Sequence, residues 1–537
     1  MSVDALLESL TLEEKVGQVL MVGMEETYLS PALKARLERF HVGNVIFLGR
    51  NYVDPRQMRA FTDDLQRLAA ARRTPIGFLT AIDQEGGVVA RLVRGGTTVF
   101  PGNMALGAVG DPELARAASR VMAEEMRALG LNMNLAPVLD VNNNPANPGI
   151  GVRSYGEDPA LAARLGAAAI EGTQGAGVMA TAKHFPGKGD VTIDSHLDLP
   201  TVPHSVERLN RVELVPFRAA IEAGVGAIMT AHVFFPAYEP EPLLPATLSR
   251  NVLTGLLRDE LGFEGVIITD DLFMGAISKR FGLGEAGIMA INAGADIVLM
   301  CHDPGEQEKA IGEILTAARE GRIARERLDS AVRRVLEAKA RFGLLEPEIS
   351  DGTAPKVGSP ASRKLALDIA RRSIALVRNA DGLIPFDVEG RGNVLVVCVD
   401  VSSLTMVEDA QLGASPLARA VRTLVPSAEE TRVSQSPGEK EIRDTVESAS
   451  GRDLVIVGTY NGHLYPAQAE LVKALAEVGP PVVVAMRNPY DIAGFPEIGT
   501  YVAAFGFRDC SMQAAAEVVF GKVDPVGTLP VTIPGLK

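Results

Sequence analysis

Histidine occurs seven times in 537 residues, and two of the seven fall in one stretch, KHFPGKGDVTIDSHLDLP, residues 183–200. Lysines and carboxylates crowd around them, while glycine and proline deny the stretch a helical or strand period. A segment that cannot pack as core yet gathers titratable groups has the character of a functional loop. Within it, D-S-H sets Asp194 two residues before His196. A carboxylate at that spacing can hold the proton on one ring nitrogen and so fix the tautomer. His196 is therefore a candidate general acid or base on a mobile loop, with Asp194 as its orienting partner.

A second carboxylate group ends the apolar run of IITDDLFMGAI, residues 267–277. Side chains alternate along a strand, so Asp270 and Asp271 cannot both face the same space. One can serve as nucleophile or base while the other accepts backbone N–H bonds or caps the next helix. Two further clusters suit a polar ligand. DQEGGVVAR gives Asp83 and Arg91 around a glycine turn, and GVRSYGEDP gives Arg153. Aspartate and arginine make the bidentate hydrogen bonds that clamp hydroxyls and amide oxygens, as sugar binding requires.

Such groups need a frame. Eight short apolar runs occur at 18–23, 44–49, 76–83, 132–140, 178–184, 227–232, 265–270 and 295–300. Continuous runs of this length suit strands buried on both faces of a parallel sheet. Helical patterns such as 111–130 and 160–177 lie between them and end near glycine. Thr11 and Glu14 form a capping box ahead of the first run. The pattern predicts an α/β protein whose first part is a (β/α)8 TIM-type barrel. Polar residues gather where the later runs stop: Asp83, Asp140, Lys183 with His184, His232, Asp270 with Asp271, and Cys301 with His302. In such a barrel those ends form one rim, where the active site sits.

After a helix at 324–345, EPEISDGTAPKVGSPAS reads as a linker without period. The expected division is a barrel domain over 1–345, a linker over 346–362 and a smaller α/β sandwich over 363–537 with a mainly parallel sheet. In the last part, 363–379 is helix-like, strands are expected at 394–400, 453–459, 481–488 and 501–507, and a helix at 467–479. No glycine-rich nucleotide fingerprint follows any of these strands. The net charge of −14 argues against a nucleic-acid partner. Cys301, Cys398 and Cys510 are too scattered for a disulfide framework or a zinc spacing. No metal and no cofactor is expected. No apolar run reaches the length of about 18 residues for a membrane span, and the N-terminal stretch lacks a basic signal-peptide region. A cytoplasmic protein without a membrane partner is the expectation; oligomeric state is not encoded legibly.

Together KHFPGKGDVTIDSHLDLP, DQEGGVVARL, NPANPGIGVRSYGEDP, IITDDLFMGAI and the closing GTLPVTIPG resemble family 3 glycoside hydrolases, in particular the NagZ-like β-N-acetylhexosaminidase branch of two-domain type. The resemblance spans nearly the whole chain. It implies Asp270 as nucleophile, His196 as proton donor and acceptor, and Asp194 as its partner. It further implies Asp83, Arg91, Arg153, Lys183 and His184 as sugar-binding residues. Two positions depart from the common pattern: Lys188 stands where many members have histidine, and Val88 where many have arginine. The resemblance gives neither a part in the chemistry, so both bear on subsite preference.

The implied reaction is retaining hydrolysis of a terminal β-N-acetylhexosamine, with a covalent glycosyl-aspartate and a His–Asp dyad in place of the second carboxylate. A pH optimum near neutrality follows from an imidazole acid/base. Small carbohydrates, N-acetylglucosamine glycosides or muropeptides from cell-wall recycling, are the implied partners. Alternatives are a phosphorylase using inorganic phosphate, a β-glucosidase and, in another class, a non-catalytic sugar-binding protein.

Overall fold

The computed structural model describes residues 2–346, 349–350, 352–400 and 415–536. Of the expected linker, residues 347, 348 and 351 lie outside the described residues. Eight parallel strands close into a barrel: β1 (Leu20–Gly23), β2 (Asn44–Phe47), β3 (Leu79–Ile82), β4 (Met133–Asn134), β5 (Met179–Phe185), β6 (Ala227–Thr230), β7 (Val266–Asp271) and β8 (Ile297–Met300). Each pairs with the next in sequence, and β8 returns to β1 with Val298 opposite Leu20. All eight expected runs hold a strand. The fourth is the shortest, because Pro137 has no N–H to give and the ladder resumes only as a Val138–Lys183 bridge.

Helices between the strands follow their start signals. Asp111 and Asp158 cap helices Pro112–Ala128 and Pro159–Gly175 through their carboxylates, each with proline in the first turn. The Thr11–Glu14 capping box is present in full. Inside the barrel, Met21, Ile46, Leu79, Ala81, Met133, Met179, Ala227, Met229, Val266, Ile268, Ile297 and Leu299 pack as one buried cluster. Intervening residues such as Ile82, Ala180, Ile228 and Ile267 belong to the outer core beneath the helices. This alternation settles which rim residues look inward. Asp83 continues the Leu79–Ala81 row, Lys183 the Met179–Thr181 row and Asp270 the Val266–Ile268 row.

The second sheet has six strands: β9 (Ala375–Asn379), β10 (Val394–Val399), β11 (Glu429–Val433), β12 (Leu454–Thr459), β13 (Val482–Ala485) and β14 (Thr500–Ala503). Their order is β9-β14-β13-β12-β10-β11, antiparallel only at β9. Two of these strands depart from the sequence expectation. Helical character stops at Ser373, and the β-branched and alternating residues that follow form edge strand β9. Strand β11 reads EETRV, too polar to register as a buried run, because it is the opposite edge.

The two sheets are joined by a shared apolar core. Val88, Val89, Met104, Ala105, Ala108 and Val152 of the barrel part pack into the buried cluster of the second sheet. Val88 is thus a core residue between the domains and has no place in a subsite, which corrects the expectation for that position. Among the described residues, no helix is long and apolar enough to cross a membrane.

Candidate active site

The C-terminal mouth of the barrel encloses a cavity of about 290 Å³. Asp83, Arg91, Arg153, Lys183, His184, His196 and Asp270 all line it. Asp194 does not reach the cavity and lies behind His196. Of the other rim residues, Asp271, Cys301 and His302 also line it, whereas His232 and Asp140 do not. His232 is fully buried, bonded to Thr247 Oγ1 at 2.7 Å and to the Asp271 carbonyl at 3.0 Å.

One wall is a buried charge network. Lys183 Nζ sits 2.7 Å from both Asp83 and Glu85, and Glu85 also takes a bidentate pair of bonds from Arg153, 2.9 and 2.8 Å. Burial alone would raise the Glu85 carboxyl, but the Arg153 and Lys183 cations prevail and hold it at about 2. Burial alone would likewise lower Lys183, and Asp83 with Glu85 keep it above its ordinary value. Glu85, Lys183 and Arg153 therefore stay charged, and the pairing fixes two cations at the cavity wall.

Lys183 and His184 are neighbours in sequence, yet both line the cavity. A register shift between Ala182 and Phe185 breaks the alternation of β5 and permits this. His184 Nδ1 is 2.7 Å from Asp140 Oδ2. Burial, then the Lys188, Arg153 and Lys183 cations, keep His184 well below its ordinary value, so its ring is neutral. With Nδ1–H donated to Asp140, Nε2 is left as an acceptor, 4.0 Å from Asp270.

The adjacent aspartates both reach the cavity wall but differ in their partners. Asp271 turns to the backbone and accepts from Cys301 N at 3.0 Å and Phe273 N at 3.2 Å. Burial pushes it up to about 7. The Asp270 side chain is 15% exposed, with Lys188 Nζ at 3.8 Å. Burial would raise Asp270 too, but Lys188, His232 and His196 outweigh that and leave it below its ordinary value. It is an ionised carboxylate facing the cavity.

The D-S-H loop reaches the same cavity through His196. His196 Nδ1 meets Asp194 Oδ1 at 2.7 Å, and the same oxygen accepts the His196 backbone N–H at 3.0 Å. Burial raises Asp194, but the His196 ring and amide pull it down to about 2. The loop is docked on the turn after β7, where Gly275 N and Ala276 N each donate, at 3.1 Å, to the His196 and Ser195 carbonyls. A Cβ at Gly275 would lie 2.5 Å from the His196 carbonyl oxygen, so only glycine admits this approach.

Sequence reasoning missed two members of the site. Glu85, quoted within DQEGG but given no part, is the common counter-ion of Arg153 and Lys183. Lys188, noted only as bearing on subsite preference, lines the cavity with its Nζ 3.8 Å from Asp270. Glycines on both sides of Lys188 and after Glu85 were the available signal, since they mark backbone passing close to other chain.

The chain is similar to known proteins over nearly its whole length. The Glycosyl hydrolase family 3 N terminal domain matches residues 11–338, and the Glycosyl hydrolase family 3 C-terminal domain matches residues 374–536. Beta-hexosaminidase A of Pseudoalteromonas piscicida is 31% identical over 94% of this chain and 92% of its own. The beta-N-acetylglucosaminidase/beta-glucosidase of Cellulomonas fimi is 31% identical over 97% of this chain and 93% of its own. Among solved structures, a family 3 beta-N-acetylglucosaminidase from Paenibacillus sp. str. FPU-7 superposes with TM-score 0.90 at 43% identity, covering 98% and 99% of the two chains. A beta-glucoside phosphorylase superposes with TM-score 0.82 at 27% identity, covering 99% and 96%. An ionised aspartate and a carboxylate-held imidazole on one sugar-sized cavity thus belong to a chain matched over both its sheets, and that chain is a member of glycoside hydrolase family 3.

Proposed function

We propose that the chain is a retaining, exo-acting β-N-acetylglucosaminidase in which Asp270 is the nucleophile and His196, held by Asp194, is the acid/base. One observation carries the reading: His196 and the ionised Asp270 line the same small cavity, with the His196 loop docked on the turn that follows Asp270. The names of the relatives support N-acetylglucosamine as the sugar.

The steps of this reading are a double displacement. An Asp270 oxygen attacks the anomeric carbon as the bond to the aglycone oxygen breaks, and His196 Nε2–H gives its proton to that oxygen. The ester so formed is opened by water, whose proton passes to the now neutral Nε2. Two displacements restore the original configuration. Asp194 holds the Nδ1–H throughout and stabilises the imidazolium form without itself taking a proton. Asp83, Arg91, Arg153 and Lys183 hold the sugar hydroxyls and the acetamido group, and neutral His184 Nε2 accepts from a hydroxyl. Residues 1–345 are then the catalytic domain, and 363–537 a second domain that lends no acid. Muropeptide fragments met in the cytoplasm are the natural substrate implied by the family resemblance.

Cleavage of nitrophenyl N-acetyl-β-glucosaminide in preference to the glucoside is expected. Asp270→Asn should lower kcat by about 10⁴-fold or more, the scale for a lost nucleophile. Full turnover in that variant ends the proposal. Phosphorolysis is a second reading, favoured by Lys188 beside Asp270, a cation on the approach of an anionic acceptor. Running the same assay with and without phosphate, and measuring sugar 1-phosphate, separates the two.

A further inference from the structure

Arg153 reaches the cavity from a loop that begins at Asn142, and much of what holds this loop in place belongs to the other domain. Asn488 Oδ1, just after β13, accepts the Val152 backbone N–H at 3.0 Å. Tyr490 Oη accepts from Asn142 Nδ2 at 2.9 Å, and Asn142 Oδ1 in turn accepts Gly151 N at 3.1 Å. Gly151 has φ 48°, and a Cβ there would stand 2.3 Å from Asn488 Oδ1. The loop and the second domain are therefore in backbone-to-side-chain contact with no room between them.

The holding residues are themselves fixed. Asp491, fully buried between them and the end of β12, accepts from Thr459 Oγ1 at 2.7 Å and stands 2.9 Å from His463 Nδ1. In the other direction the loop reaches the reacting groups. Arg153 donates to the Gly149 carbonyl at 3.0 Å, and Gly149 lies against Asp194.

We infer that the second domain acts on the reaction as a brace: Asn488 and Tyr490 are positioning residues that hold Arg153 at the sugar. This rests on the glycosidase reading for the meaning of Arg153, and it gives the second domain a task other than supplying an acid. Asn488 Nδ2 makes no hydrogen bond among the described residues, so its side chain earns its place through the acceptor oxygen alone.

The test is a double-mutant cycle between Asn488→Leu and Arg153→Ala, read as KM for the nitrophenyl substrate and as Kd for N-acetylglucosamine. Asn488→Leu should raise both about tenfold with a smaller fall in kcat, as expected when a binding group is displaced by a fraction of an ångström. On the Arg153→Ala background the same change should add less than about twofold, because the interaction is already gone. Asn488→Asp keeps shape and acceptor and should restore KM to within about twofold. Tyr490→Phe removes only the hydroxyl bonded to Asn142. It should raise KM by about threefold and serves if Asn488→Leu does not fold. Equal increases on both backgrounds, or an unchanged KM in a folded variant, overturn the brace. No turnover by the native chain counts against the glycosidase reading alone. The brace is then decided by the Kd cycle and by hydrogen exchange at the Val152 amide, which must quicken in the variants.

Discussion

The barrel rim and the loop after strand β12 of the second sheet each carry a histidine whose Nδ1 meets an aspartate, at 2.7 Å in His196–Asp194 and 2.9 Å in His463–Asp491. In the first pair the side chains are 13% and 10% exposed and the ring lines the cavity. In the second they are 9% and 0% exposed, the ring packs edge-on to Tyr490, and no described group bonds its Nε2. His184–Asp140 adds another such pair at 2.7 Å, and His204 meets Asp190 through Nε2 at the same distance. A His–Asp contact is therefore no mark of catalysis in this chain. What separates His196 from His463 is the other ring nitrogen: an opening beside an ionised carboxylate at His196, and the interior of a domain at His463. His184 shares that opening, 4.0 Å from Asp270, but burial and the neighbouring cations hold its ring well below the ordinary range.

The largest expected effect breaks the comparison directly. His196→Ala should lower kcat by about 10²–10⁴-fold on an alkyl aglycone, the range for a lost general acid. On a nitrophenyl aglycone, which leaves without help, the first step should survive and glycosyl-enzyme should accumulate as a burst. His463→Ala should leave this dependence on the leaving group untouched. It should instead lower Tm, since a buried Asp491 loses a partner, a loss of about 1–3 kcal/mol. A leaving-group dependence in the His463 variant would erase the distinction drawn between the two pairs.

A pH experiment sharpens it. Asp194 is depressed from 3.8 to about 2, so its charged form is favoured by folding. The stabilisation is fully present above about pH 4 and is lost as pH falls from there towards 2; at about 1.4 kcal/mol per unit it amounts to roughly 2 kcal/mol. Asp194→Asn should flatten the Tm-versus-pH curve in that window and leave it parallel to the native curve above. Thermal unfolding at a series of acid pH values decides this. An unaltered slope would mean that the loop's carboxylate is not ionically tied to its histidine.

Much of the site was legible because a parallel barrel turns strand ends into one place. Asp83, Lys183 and Asp270 follow inward-facing rows whose apolar members, Leu79–Ala81, Met179 and Val266–Ile268, are plain in the sequence. Glu85 and Asp140 were harder: each acts on another site residue, and nothing in a local stretch says which distant cation or ring a carboxylate will meet. The closeness of Lys188 to Asp270 was hidden for a related reason, since it depends on two strand ends converging across the mouth. Edge strands β9 and β11 hid because half-exposed strands carry no continuous apolar run. Val88 reads in the sequence as bearing on subsite preference because the apolar cluster that claims it is completed only by the second sheet, far along the chain.

The smallest expected effect concerns the stem of the D-S-H loop. His204 Nε2 lies 2.7 Å from Asp190 Oδ2, joining the two ends of the segment that carries Asp194 and His196. Both side chains are about one quarter exposed, 27% and 24%, so solvent screens the pair. Its contribution belongs with other part-exposed ion pairs, under about 1 kcal/mol. His204→Ala should therefore leave Tm nearly unchanged. Its effect should fall on kcat for poor leaving groups, where the precise placing of His196 Nε2 counts, and should be only a few-fold. The loop has a second anchor in the Gly275 and Ala276 amides, which the variant leaves in place. A loss as large as that of His196→Ala would mean that the stem, and not the docking on the turn after β7, fixes the acid/base in position.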